Sequence, residues 1–248
     1  MKTPPASIIV PTLNEEKYLP ALLASLAKIS APLDIIVVDG DSIDGTAHVV
    51  QSFQTAFSGD SSLTLIRSRR GISSQRNTGA AHAKHPILIF CDADIVFPSA
   101  EAYSDIVSRF KKHGYVAAAP VMLPVERGTR LRIVYRIVMI IQKVLFFLGR
   151  PYFAGSCLLT TKDVFAKIGG FDINVLLGED VDYSLKAAKI GPCGLLDTSI
   201  RVSARRLIKY GYWWILKELP NVFRLLMTGR IIPETIFYPF GDFGDLRD

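Results

Sequence analysis

Cysteine is scarce in this sequence, with only Cys91, Cys157 and Cys193 in 248 residues. Three cysteines cannot form a fully paired framework and none stands in Cys-x-x-Cys spacing, which excludes a disulfide-stapled module, a zinc ribbon and a thiol redox motif. The expected compartment is therefore reducing and cytoplasmic. An acidic excess is missing too: 29 Lys and Arg against 23 Asp and Glu leave a formal charge of +6, which favours anionic partners. Met1 to Ser7 holds one lysine and two prolines before a short apolar run, without the apolar core or small-residue cleavage site of an export signal. No helix-turn-helix or finger pattern occurs, so nucleic acid is not an expected partner. Nor is there a Gly/Ser-rich linker, an internal repeat or a low-complexity tract. What remains is 49% hydrophobic and 21% charged, the profile of a folded domain with a sizeable core.

Hydrophobic periodicity predicts an α/β order. Ile8–Val10 reads as a strand and Glu15–Ile29 as a helix with Leu19, Leu22, Leu23 and Leu26 on one face. Asp34–Val38, Leu63–Ile66 and Pro86–Phe90 follow as strands, with helices expected over Thr46–Phe57, Ser73–Lys84 and Pro98–His113. Strands alternating with helices imply a mostly parallel sheet covered on both faces. Val116–Ala119 reads as a further strand, and beyond it the texture changes. Leu131–Leu148 is a long apolar helix, Cys157–Leu159 a strand, and Thr161–Ile168 and Val181–Lys189 helices. The expected organisation is one continuous domain over residues 1–220, with a nucleotide-sized half (1–122), a second half (123–220) and a C-terminal extension (221–248).

Ligands in open parallel sheets bind beyond the carboxyl ends of the strands. Three polar clusters fall there: Pro11-Thr12-Leu13-Asn14-Glu15, the turn from Asp39 to Asp44, and Asp92-Ala93-Asp94. Two carboxylates one residue apart at a strand end suit Mg²⁺ or Mn²⁺, hard cations that also neutralise a diphosphate. A solvated turn is the alternative for Asp92 and Asp94, and Asp39 and Asp41 can equally cap turns by accepting backbone N–H bonds. Glu179-Asp180 precedes a helix and can serve either as an N-terminal cap or as a general base. Arg76 opens a helix of small residues, which suits an anion or nucleotide, or a tightly packed surface.

Taken together, Ser7–Glu16, Ile36–Thr46, Gln75–Gly79, Phe90–Asp94 and Gly169–Asp172 with Gly178–Asp182 resemble the family 2 glycosyltransferases, inverting enzymes with the GT-A fold. The resemblance covers roughly the first 190 residues. It implies a Rossmann-like, mostly parallel sheet and the transfer of one sugar from a nucleoside-diphosphate sugar to an acceptor hydroxyl or phosphate. By the same resemblance Pro11, Asn14 and Glu15 line the nucleotide pocket, Asp39 faces the base, and Arg76 holds that pocket. Asp92 meets the ribose or donor sugar, Asp94 coordinates the metal, and Asp180 is the catalytic base with Glu179 beside it. There are departures. The usual Asp-Asp-Gly-Ser turn is Asp39-Gly40-Asp41-Ser42 here, so its path need not be the usual one. All four histidines precede the base region, so an additional histidine contact to metal is missing. The Gln-x-x-Arg-Trp signature of processive synthases is absent, although Arg205 and Arg206 stand at a comparable late position and can grip a donor or acceptor phosphate. Alternatives of other classes are a nucleotidyltransferase and a non-catalytic nucleotide-sugar or membrane-binding module.

Within Leu131–Gly149 the cations Arg132, Arg136 and Lys143 argue against a membrane span. At about 100° per residue they fall within roughly 40° of one another, and the remaining circumference is almost wholly apolar. That pattern suits a helix lying on an anionic membrane surface, or one packed on the sheet with its cations in water. Tyr212–Leu216 and Val222–Met227 add Trp, Tyr and Phe of the kind found at headgroup level. The expectation is a peripheral enzyme on the inner face of the cell membrane with a lipid-linked or otherwise membrane-presented acceptor. A homodimer through the same apolar surfaces is the alternative.

Overall fold

The computed structural model describes residues 3–153, 155–175, 178–211 and 224. The aromatic segment after residue 211 and the C-terminal extension, Arg224 apart, lie outside the described residues.

In chain order the elements are β1 (Ala6–Thr12), α1 (Leu19–Leu26), β2 (Leu33–Asp39), α2 (Thr46–Phe53), β3 (Ser62–Arg67), α3 (Ile72–His82), β4 (Ile87–Cys91), β5 (Ile95–Val96) and α4 (Ala100–Lys112). They continue with β6 (Ala117–Pro124), α5 (Thr129–Phe147), β7 (Cys157–Thr161), α6 (Lys162–Ile168), α7 (Glu179–Ala188), β8 (Cys193–Val202) and α8 (Arg205–Tyr210). The strands form one sheet in the order β3-β2-β1-β4-β7-β6-β8-β5. β1, β2, β3 and β4 pair in parallel, as the alternating pattern predicts, whereas β7 runs antiparallel between β4 and β6. That insertion joins the two halves of the chain into a single sheet.

Every residue of β1, β2 and β4 is buried, which is why their sequences are apolar runs rather than alternations. Pro11 is tolerated inside β1 because pairing with β4 ends at Ile9, leaving that edge without need of an N–H. One face of the sheet packs Ile8, Val10, Ile35 and Val37 against α1, α2 and α4; the other packs Ile9, Val38 and Phe90 against Ala80, Phe171 and Tyr183.

Some boundaries differ from the sequence expectation. α1 starts at Leu19 and not at Glu15, because Asn14 and Glu15 are held in the turn that leaves β1; Pro20 sits in the helix's first turn, where its missing N–H costs nothing. β8 is missing from the expectation: Cys193-Gly194-Leu195-Leu196-Asp197-Thr198-Ser199 is too polar to read as a strand, and its register breaks opposite Pro120 and Val121. No helix among the described residues is long and apolar enough to cross a membrane.

Candidate active site

The carboxyl ends of β1, β2 and β4 lie side by side, and the polar turns leaving them are tied together. Gln75, fully buried on α3, donates through Nε2 to the Thr12 and Val38 carbonyls at 2.7 Å each, clamping the ends of β1 and β2. Asp39 accepts the Ser42 N–H (3.1 Å) and the Ser42 hydroxyl, so it caps its own turn. Asn14 adopts φ 56° and is locked at both ends: its N–H donates to Ser42 Oγ and its Oδ1 accepts the Ile43 N–H, both at 2.9 Å. The displaced glycine of this turn has a local reason. A Cβ at Gly40 would stand 2.9 Å from Gln75 Nε2, while the left-handed conformation falls one residue later, at Asp41 with φ 72°.

Two buried arginines organise the carboxylates. Arg76, 1% exposed, donates from Nη1 to Glu179 (2.8 Å) and from Nη2 to both Asp92 (3.2 Å) and the Gly155 carbonyl (2.9 Å). The Gly155 N–H in turn donates to Asp180 Oδ2 at 2.7 Å, and the Val181 N–H to Oδ1 at 2.8 Å. Asp180, at the start of α7, is thereby joined through Gly155 and Arg76 to the Asp92-Ala93-Asp94 turn on the same side of the sheet. Removal from water, reinforced by the Glu179 charge and opposed by Arg76, pushes the Asp180 carboxyl up to about 7.

The second arginine, Arg205, grips Glu15 in a fork at 2.9 and 2.7 Å, places Nε 3.1 Å from Asp94 Oδ2, and stacks on Tyr18 with 4.1 Å to the ring centre. Burial raises Glu15 to about 7 against the pull of Arg205, and burial also raises Asp94 against the same guanidinium. Arg205 is delivered here by Glu126, which accepts the Ser203 hydroxyl (2.8 Å) and the Ala204 N–H (2.7 Å).

Among the described residues no three His, Cys, Asp or Glu side chains are grouped to hold a metal by themselves. The donor set is the carboxylates of Asp92 and Asp94 at one strand end. It fits a cation that takes one or two carboxylates from the protein and its other oxygens from phosphate and water.

A sequence model described as glycosyl transferase family 2 matches residues 7–169, more than half of the chain. The chain belongs to this family. Among curated family relatives, a 4,4'-diaponeurosporenoate glycosyltransferase of Staphylococcus haemolyticus is 32% identical over 114 residues, 44% of this chain and 29% of that protein. The uncharacterized glycosyltransferase YfnE of Bacillus subtilis is 35% identical over 109 residues, 43% of this chain and 26% of the relative. The chain thus spans less than a third of the length of these relatives. Of solved structures, the mannosyltransferase PcManGT of Pyrobaculum calidifontis, in complex with GDP-Man and Mn²⁺, superposes with a TM-score of 0.66 at 23% identity over 94% of this chain and 67% of its own. S. aureus TarS 1–349 superposes with a TM-score of 0.64 at 20% identity over 92% and 73%. This likeness is one of fold, and it bears out the GT-A expectation.

Of the family positions expected from the sequence, Asn14, Glu15, Asp39, Asp92 and Asp94 stand at or just beyond the strand ends, Arg76 on α3 and Glu179 and Asp180 at the start of α7 are linked to them, and Pro11 lies near the end of β1. Arg205, expected as a phosphate grip, is engaged by Glu15 and Asp94, and the neighbouring Arg206 bears electrostatically on Asp94. Gly155 and Gln75 were not expected to carry the site. Gln75 belongs to the quoted Gln75–Gly79 segment, and Gly155 lies in the small-residue run Ala154-Gly155-Ser156 between α5 and β7. Its closeness to Arg76 and Asp180, 3.0 and 3.1 Å from an added Cβ, explains why no side chain is present there.

Proposed function

We propose that this chain carries out inverting transfer of one sugar from a nucleoside-diphosphate sugar to the hydroxyl or phosphate of a membrane-presented acceptor, with Asp180 as general base. The single observation behind this reading is the Asp92–Arg76–Gly155–Asp180 linkage, which sets a carboxyl of pKa about 7 beside the acidic turn after β4. A base that takes a proton near neutral pH needs a pKa near its working pH. Glu179 neutralises Arg76 on one side, so that Asp180 keeps its two backbone donors and presents the rest of its carboxylate to the acceptor. Asn14, Glu15 and Asp39 fit the nucleoside side, where locked turns offer preformed hydrogen-bonding groups. UDP, UDP-GlcNAc and GDP-Man in the structural neighbours support a nucleotide-sugar donor.

Asp94, with Asp92, would hold Mg²⁺ or Mn²⁺, a cation that when bound offsets the charge building on the departing diphosphate. The chain's own Arg205 lies against the same Asp94 oxygen and Arg206 is near; both fit the phosphate side of the donor. The cationic and apolar surface of α5 supports a peripheral location on an anionic, inner membrane face.

The test is a screen of UDP-, GDP- and dTDP-sugars with membrane-extract acceptors, with Mg²⁺ or Mn²⁺ supplied, read by mass. Release of nucleoside diphosphate with a sugar-labelled lipid is expected. Release of pyrophosphate would assign the chain to nucleotidyl transfer, and nucleotide binding without turnover across the panel would make it a binding module.

A further inference from the structure

A cavity of about 390 Å³ lies between α5 and β6, outside the connected turns of the candidate active site. Its walls are apolar where Met122, Leu123, Ile133 and Met139 line it. Two cations share the same space. Arg132 and Arg136 stand one turn apart on α5, both exposed, and among the described residues neither makes an ion pair. Like charges at this spacing repel, and an anion shared between them removes the repulsion.

Tyr135 ties the cavity to the chemistry. It lines the wall, and its phenol is held well above the ordinary tyrosine range by burial and by the charges of Asp94 and Glu126, with Arg206 opposing. The strand wall leads the same way: Pro124, next to the lining Leu123, pairs with Val202 of β8, and Val202 pairs with Ile95, the residue after Asp94. Ile133 of its wall is also the first of a row of exposed apolar side chains. Ile133, Ile137, Ile140, Val144 and Phe147 recur every three or four residues along one face of α5, and Phe147 is 90% exposed.

We infer that this cavity is the acceptor site, and that it takes an anionic amphiphile: a phosphate or carboxylate head between Arg132 and Arg136, with its apolar chain against Leu123, Ile133 and Met139 and out along the exposed row. The inference rests on the membrane-presented acceptor proposed above and names its chemistry. Charge complementarity selects the head, and the continuous apolar track selects a chain over a sugar or a peptide.

Binding of decyl phosphate to the whole chain, below its micelle concentration, tests this against decanol and inorganic phosphate, with UDP and GDP binding measured in parallel. Decyl phosphate is expected to bind at least about tenfold tighter than either half-ligand. Arg132→Gln with Arg136→Gln should reduce it to the level of decanol, and Met139→Trp, which fills the cavity and spares both arginines, should weaken it as well. Equal binding of decanol, or indifference to both variants, overturns the assignment. So does an effect of the arginine variants confined to phosphatidylglycerol vesicles, which would assign the arginines to bulk lipid headgroups. If UDP and GDP bind and decyl phosphate does not, only the acceptor site falls; if neither nucleotide binds the wild-type chain, the donor reading falls first.

Discussion

Asp180 is bracketed by two backbone N–H donors that favour its charged form and by burial and Glu179 that disfavour it, and the second pair wins, which places its titration near neutrality. In the proposed role of general base it would work only when ionised, so kcat/KM should climb with pH and level off above about 7. Glu179→Gln removes a neighbouring negative charge and releases Arg76 to act on Asp180; both changes favour the carboxylate and should move the midpoint to lower pH. A pH–rate profile reads this, and an unmoved or raised midpoint counts against the assignment. Asp180→Asn should lower transfer by about 10²–10⁴-fold with nucleotide binding retained, checked by turnover and by UDP or GDP titration. Arg76 is a different case. Its guanidinium is buried between Asp92 and Glu179, so Arg76→Met leaves two carboxylates uncompensated and should cost about 3–5 kcal/mol in a urea melt. These acidic positions were legible because chemistry of this kind demands particular residue types at strand ends. Gly155 was not, since its contribution is a backbone N–H and carbonyl, and a backbone group leaves no trace in a sequence beyond the smallness of the residue carrying it.

Helix α3 shows how one element delivers two site groups through one close contact. Gln75 and Arg76 both project from its first half, and they reach the strand ends because Gly79 lets the helix axis approach the sheet. A Cβ there would stand 2.4 Å from Ile9 Cγ2 and 3.0 Å from Val38 Cγ2. Alanine in place of glycine within a helix ordinarily gains up to about 1 kcal/mol. Here overpacking wins: Gly79→Ala should destabilise by about 1–3 kcal/mol in a urea melt. Adding Ile9→Ala to the same chain should make the Gly79 change less costly than it is alone, a coupling that a double-mutant cycle detects. The first half of the fold was readable for a related reason: strands β1, β2 and β4 are buried on both faces and so are unbroken apolar runs between turn residues. β8 was not readable because it is only half buried: Asp197, Thr198 and Ser199 answer to solvent and to a broken register as much as to the sheet, and Gly194 is a glycine because a Cβ there would stand 2.2 Å from the Tyr115 ring. The antiparallel course of β7 was equally hidden, since its five residues carry no mark of direction.

At the scale of the molecule, two surfaces of opposite character meet at α5. The helix packs Leu131, Gln142 and Leu145 inward, so the side chains opposite them face away from the sheet, and those are Ile133, Ile137, Ile140, Val144 and Phe147. Arg132, Arg136 and Lys143 are also exposed, to one side of that apolar row. Spreading apolar side chains over water is unfavourable, and an anionic bilayer would satisfy both features at once, the row entering the acyl boundary and the cations meeting headgroups. Each cation near such a surface contributes about 1 kcal/mol, so three would supply roughly 3 kcal/mol of a term that salt removes, leaving the apolar contribution in place. Flotation with phosphatidylglycerol vesicles should therefore capture the chain at low salt and release part of it at 1 M, where screening shortens to about 3 Å. Ile140→Asp with Phe147→Asp should abolish capture at both ionic strengths, because each carboxylate would have to enter the acyl boundary or hold the helix off it. A second copy of the chain would cover the same row without any need for the cations. A stable dimer in light scattering with no vesicle capture would then give this face to self-association, and the acceptor would have to reach Asp180 from water.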